Sequence, residues 1–124
     1  EKEKKKMIDS VEMVKIKLPK GIKTEKFKII KKGKHRMVEV EAKVDTGALR
    51  SSIDESLAKE LGLLTDNYIL YLRHYRSALG KGMERPVIGL TFWLNGRKIS
   101  ATVNVADRTG LKCRFLIGRL DLNK

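Results

Sequence analysis

The chain has 124 residues, 28 Lys plus Arg against 15 Asp plus Glu, and a formal charge of +13. That is the length of one domain with one core, and a hydrophobic share of 41% excludes a wholly disordered chain. No apolar run approaches the roughly 18 residues of a membrane span, and a single cysteine, Cys113, excludes an internal disulfide, so the expected setting is cytoplasmic and reducing.

Residues 1–10 read as a charged N-terminal tail and 11–124 as the folded domain. The lead Glu1 to Lys6 has no apolar stretch behind it, so no secretory signal is expected. Val14, Ile16 and Leu18 alternate with Lys15 and Lys17 as a half-buried strand, ended by Pro19-Lys20-Gly21. Phe27 to Ile30 is a second short strand, followed by a turn at Lys32-Gly33-Lys34. The cleanest alternation is Val38, Val40, Ala42 and Val44 against Glu39, Glu41 and Lys43. It runs straight into Asp45-Thr46-Gly47-Ala48.

A helix follows, with Asp54 as N-cap, Leu57, Ala58 and Leu61 as its apolar stripe, and Gly62 just past its end. Ile69 to Tyr75 is a strand, Arg76 to Lys81 a turn with Gly80 and Gly82 around it, and Pro86 to Leu94 a strand. Asn95-Gly96 is a strong hairpin signal. Ile99 to Val105 alternates again, Asp107 to Gly110 is a loop, and Phe115-Leu116-Ile117-Gly118 is a short buried strand. Seven strands and one short helix at hairpin spacing make an all-β fold, a small barrel or sandwich.

The charge has two readings. Lysine and glutamate rise together in heat-adapted proteins, and the basic residues here are scattered rather than gathered on one helix. Alternatively, a basic domain draws acidic partners. Aromatics are 6% of the chain and do not interleave with basic residues as a base-stacking platform would, so nucleic acid ranks last among the partners. A structural zinc site is poorly supplied, since His35, His74 and Cys113 have no short paired spacing. No cofactor and no metal is expected.

Asp45-Thr46-Gly47 ends a buried apolar strand. A carboxylate is costly there unless it is paired or hydrogen-bonded. Glycine two residues on permits a tight turn and close approach of backbone N–H groups, and threonine supplies a hydroxyl to tie the turn down. Such a carboxylate suits the mouth of a cleft; the plainer alternative is an aspartate that caps a turn. Its surroundings add Ala48, then Ser51-Ser52 and the helix, and much later the apolar pair and glycine of Leu116-Ile117-Gly118-Arg119.

This arrangement resembles the retropepsin-like aspartic proteases, whose pattern is a strand into Asp-Thr-Gly-Ala, a flap hairpin, and a late apolar-apolar-Gly strand followed by Arg. It is most similar to the branch labelled ATP-dependent zinc proteases, associated with ATP-grasp ligases that add glutamates to proteins. The matching segments are Ala42 to Ala48, Arg85-Pro86-Val87, Asp107-Arg108 and Leu116 to Arg119, within a similarity spanning about residues 35 to 122. The label itself finds no support. The chain has no His-Glu-x-x-His, and Gly80-Lys81-Gly82 lacks the earlier glycine and following Ser or Thr of a P-loop.

The resemblance implies a small closed acid-protease barrel and hydrolysis of peptide bonds by paired Asp45 carboxylates of a homodimer. Thr46 and Gly47 would hold the catalytic loop, and a hairpin from Arg73 to Glu84 would be the flap. Ala48, Arg50, Arg73, Gly80, Gly82 and Arg85 would contact substrate, with Arg76, Lys81 and Arg108 as further basic contacts for a glutamate-rich peptide. Leu116, Ile117, Gly118, Arg119, Asp107 and Arg108 would shape the surroundings. Retropepsins build their dimer from strands at both chain ends, yet only Leu120 to Lys124 follows Arg119. The expectation is therefore a rebuilt interface or a monomer with a lone Asp45. Asp107 is the other carboxylate to consider, though a structural pair with Arg108 or Arg119 is its expected role. A non-catalytic basic module on the same fold, recognising acidic protein or nucleic acid, is the alternative function.

Overall fold

Eight strands and two short helices make up the computed structural model, which describes residues 9–76, 80 and 82–124. The strands are β1 (Asp9–Lys17), β2 (Ile30–Lys32), β3 (His35–Asp45), β4 (Ser51–Asp54), β5 (Ile69–Arg76), β6 (Gly82–Leu94), β7 (Arg97–Ala106) and β8 (Phe115–Ile117). Helix α1 is Glu55–Glu60 and helix α2 is Arg119–Leu122.

Alternation places one face of each long strand in a common core. Val14 and Ile16 of β1, Val38, Val40 and Ala42 of β3, Leu90 and Phe92 of β6, and Ile99, Val103 and Val105 of β7 are all buried. Phe92 meets Phe115 edge-on, with ring centres 5.2 Å apart and planes at 89°, a favoured aromatic geometry. Leu57, Ala58 and Leu61 of the α1 segment close the core. Each fully buried side chain of this size contributes about 1.5–3 kcal/mol.

The strands run in the order β1-β3-β8-β4-β7-β6, and β1 returns to pair with β6. Val14, Lys15 and Ile16 lie opposite Leu94, Trp93 and Phe92, so six strands form a closed ring. Closure removes open edges from the ring itself. Most pairings are antiparallel; β3 with β8 and β4 with β7 are parallel. β5 extends outward from β6, and β2 from β3. At the β6–β7 turn Asn95 (φ 52°) and Gly96 (φ 80°) both take the left-handed conformation, which a two-residue hairpin requires.

Three elements depart from the sequence reading. β4 is a strand rather than a connection: Ser51-Ser52-Ile53-Asp54 pairs with β7 on one side and β8 on the other. The second strand lies at Ile30–Lys32, not Phe27 to Ile30; Phe27 and Ile29 instead pack on the core as partly buried side chains. Arg119–Leu122 adds a second short helix. Asp9 and Ser10, read as part of the tail, pair with Asp45 and Val44 in β1; residues 1–8 of that tail lie outside the described residues. No helix among the described residues is long and apolar enough to cross a membrane.

Candidate active site

β3 carries Asp45 to the end of the barrel, where the chain turns. The Gly47 N–H donates to Asp45 Oδ1 at 2.9 Å, and the Ala48 N–H donates to the Asp45 carbonyl at 3.1 Å. The carboxylate is held inside its own turn by a backbone donor, with its side chain 19% exposed. Lys43 Nζ, two residues back along β3, lies 3.8 Å from Asp45 Oδ2.

The late glycine segment locks this loop. β8 runs beside β3, with Lys43 opposite Leu116 and Val44 opposite Ile117. The chain then crosses the loop. The Arg119 N–H donates to the Ala48 carbonyl at 2.9 Å and the Leu120 N–H to the Leu49 carbonyl at 3.1 Å. The Arg119 guanidinium reaches the Thr46 carbonyl at 3.4 Å. Gly118 is essential to this crossing: a β-carbon there would lie 2.6 to 2.8 Å from the backbone N, C and O of Arg50.

Beneath the crossing, the buried Ser51 hydroxyl accepts from the Gly118 N–H at 3.0 Å and donates to Asp121 Oδ2 at 2.5 Å. Asp121, itself buried, also takes Lys124 Nζ at 3.0 Å. This satisfied polar chain joins α2 to the loop. Ser51 was noted in the sequence, but its contact with Asp121 escaped because the two are 70 residues apart. Leu49 and Leu120, 43% and 45% exposed, stand beside the loop as an apolar patch.

A second cluster adjoins the first through β4. Asp54 Oδ1 accepts the Arg108 N–H at 2.7 Å, and Oδ2 accepts from the Ser56 hydroxyl and from Arg114 at 3.4 Å. Burial pushes the Asp54 carboxyl up, but the Ser56, Arg108 and Arg114 donors outweigh it and hold the group below its ordinary value. Asp54 thus organises the 107–114 loop. It precedes α1, as expected of an N-cap, but its side chain makes no capping bond to the helix. Arg108 turns inward, with Nε on the Cys113 carbonyl at 3.1 Å and Nη1 3.4 Å from Ser52 Oγ.

Asp107 corrects an expectation. No ion pair within 4.0 Å joins it to Arg108 or Arg119. It is exposed and accepts the Thr109 N–H at 2.9 Å. Hydrogen bonding from the Thr109 side chain, then from its N–H, with Arg85 adding a smaller effect, keeps Asp107 below the ordinary carboxylate value. A short polar side chain satisfies its own turn before it reaches a distant cation. The structure instead brings Asp9 into register with Asp45 on the neighbouring strand.

The hairpin of β5 and β6 sets Arg73 opposite Arg85, with Arg76 opposite Gly82. Arg73 lies 5.7 Å from the Tyr71 ring centre, and Arg85 5.8 Å from that of Tyr75. The Tyr71 hydroxyl accepts from Arg73 at 2.8 Å and holds that guanidinium more firmly protonated. Gly80 and Gly82 are open to solvent, with nothing within 4 Å of where a β-carbon would sit. Residues 77–79 and Lys81, at the tip of the expected flap, lie outside the described residues. Among the described residues no three His, Cys, Asp or Glu side chains gather to hold a metal.

Comparison with protein-family models and with curated proteins finds no match. Among solved structures, the simian foamy virus (mac) protease aligns with TM-score 0.59 and 18% identity, over 92% of this chain and 92% of its own. The fold is that of a retropepsin-like protease. A Legionella pneumophila protein of unknown function, Lpg0085 (DUF785), aligns at 18% identity over 69% of this chain and 75% of its own, with TM-score 0.43. Within the retropepsin-like fold, Asp45-Thr46-Gly47 occupies the strand-end turn, and Gly118-Arg119 clamps it.

Proposed function

We propose that this protein is an aspartic endopeptidase in which two copies of Asp45, one from each subunit of a homodimer, form the catalytic pair. The observation that carries the reading is the clamped turn: an aspartate at a strand end, held by the Gly47 N–H and fixed from above by Gly118 and Arg119. Hydrolysis by carboxylates needs one ionised group to take a proton from water and one protonated group to donate to the peptide carbonyl. Two carboxylates about 3 Å apart share one proton and so supply both forms. Water adds to the carbonyl carbon, and the resulting diol collapses as the departing amine takes a proton.

The exposed Leu49 and Leu120 beside the loop support a two-fold contact that would bring the Asp45 side chains together. In this reading Thr46 steadies the loop, and Ala48 and Arg50 flank the cleft. The hairpin with Gly80 and Gly82 covers the peptide. Arg73 and Arg85, each set against a tyrosine ring, would receive acidic side chains. A glutamate-rich substrate, as in the branch associated with glutamate-adding ligases, fits that face and the +13 charge. The domain expected at 11–124, extended to take in Asp9 and Ser10 of β1, would form each subunit's share of the catalytic unit.

The test is mass spectrometry of a mixed peptide library that includes oligo-glutamate, incubated with wild type, Asp45→Asn and Asp9→Asn from acid to neutral pH. The expected result is products from wild type, with a loss of at least a hundredfold in Asp45→Asn. Asp9→Asn should cleave like wild type, and its loss would transfer the second carboxylate to the same chain. Products undiminished in Asp45→Asn, or none from a wild-type dimer, would overturn the reading in favour of a non-catalytic basic module.

A further inference from the structure

The outer wall of the barrel carries a second feature, well away from Asp45. A groove of about 490 Å³ opens over β1, β3 and the β6–β7 turn. Trp93 and His35 stand together in it, with ring centres 5.6 Å apart and planes at 53°. Met13 and Met37 supply its apolar surface, and Lys15, Lys32 and Lys98 line it. His35 also lines an adjoining cavity of about 670 Å³, whose basic residues are Lys17, Lys20, Lys34 and Arg36. The two cavities therefore share His35, beside Trp93, and form one basic track.

Strand parity explains the composition. On β1 and β6, Val14, Ile16, Phe92 and Leu94 fill the core, so Lys15 and Trp93 project from the opposite face. Lys15 and Trp93 are register partners at the point where the barrel closes. None of Lys15, Lys17, Lys20, Lys32, Lys34 and Lys98 makes an ion pair within 4.0 Å among the described residues. Glu39 is the one carboxylate lining the groove, and it lies in register with Lys15. His35 and Asp45 sit at opposite ends of β3, roughly 30 Å apart along the strand.

We infer that this track binds single-stranded nucleic acid, with a base against the Trp93–His35 pair and phosphates along the lysines. Flat rings beside a line of cations are what sequence-tolerant strand binding uses. The choice over an acidic peptide rests on the kind of cation. Carboxylates are best gripped by the two-pronged guanidinium, whereas a phosphodiester is served by the point charge of lysine. The groove over the ring pair is lined by lysines and by no arginine, and the arginine of the adjoining cavity, Arg36, donates its guanidinium to the Pro19 and Ile22 carbonyls. Lys98 faces Trp93 across the Asn95-Gly96 turn, but Lys15 and His35 reach Trp93 from distant strands, so the platform is assembled by the fold.

Trp93 is the single tryptophan, so its fluorescence reports on this groove directly. The full chain is titrated with twelve-residue oligo(dT) and oligo(U), and with oligo-glutamate of matched charge, at 50 and 200 mM salt. The expected result is quenching by the oligonucleotides and none by oligo-glutamate. Neutralising four phosphates should weaken binding roughly 50-fold over that salt range. Lys15→Gln with Lys98→Gln, both exposed positions, should reduce that drop to about sevenfold. Trp93→Ala, followed by anisotropy of a labelled oligonucleotide, should lose about tenfold in affinity and keep the salt slope. Asp45→Asn should bind as wild type, which separates this site from the proposed catalytic one. Equal quenching by oligo-glutamate, no quenching, or lysine and tryptophan variants that bind like wild type would overturn the inference.

Discussion

Gly118 has no room for a side chain, because the backbone of Arg50 passes where a β-carbon would be. Alanine there must push the 45–50 loop away from β8. Overpacking of this kind costs about 1–3 kcal/mol. Gly118→Ala is therefore expected to lower the unfolding free energy by that amount, seen as a lower urea midpoint, and to disturb the Asp45 turn, read together by denaturation and by the peptide-library assay. At Asp54 the sign of the pH effect follows from its donors. Its carboxyl is held below its ordinary value of 3.8 in the folded chain. The associated stability is complete above the unfolded value and is lost as pH falls toward the folded one. Asp54→Asn should thus be less stable than wild type at pH 7, with the difference shrinking below about pH 4. Thermal melts from pH 7 down to pH 3 check this; a constant difference across that range would count against the carboxylate's role in holding the 107–114 loop.

At the scale of elements, α2 and the loop after β3 behave as one unit. Two backbone hydrogen bonds, the Arg119 guanidinium and the Ser51–Asp121 contact tie them. Arg97 adds a bond to the Leu122 carbonyl at 2.9 Å. The unit's outer surface shows Leu49 and Leu120. Replacing an exposed leucine by a charge should leave the fold unchanged and repel a second copy. Under the proposed two-fold contact, Leu120→Glu is expected to shift the protein from dimer to monomer in sedimentation equilibrium, with the melting temperature of the subunit little altered. The element scale is also where sequence reading succeeded unevenly. β3 and β7 announce themselves by period-two alternation, and the β6–β7 turn by Asn95-Gly96. β4 does not, since three of its four residues are polar and its partners in β7 and β8 are some 50 or more residues away.

For the whole molecule, closure rests on three register pairs between β1 and β6, with Phe92 and Phe115 packed edge-to-face inside the ring. Phe92 is fully buried, so Phe92→Ala is expected to cost about 3–5 kcal/mol. Chemical denaturation measures it, and a loss below about 1 kcal/mol would mean the ring does not depend on its aromatic centre. Closure also creates the basic track, because it brings Trp93 of β6 against Lys15 of β1 and within reach of His35.

Asp45-Thr46-Gly47 and Leu116-Ile117-Gly118-Arg119 were legible in the chain, because a tight turn and a close backbone crossing each require particular residues at neighbouring positions. The all-β class was legible for the same reason: alternation is a property of consecutive side chains. The folded chain alone revealed that Gly118 crosses Arg50, that Asp54 rather than Asp107 anchors the 107–114 loop, and that Ser51 meets Asp121. It alone set His35 beside Trp93 among lysines that make no ion pair among the described residues. Each of these contacts joins residues far apart in the chain, and their meeting depends on strand order and barrel closure, which no local pattern encodes.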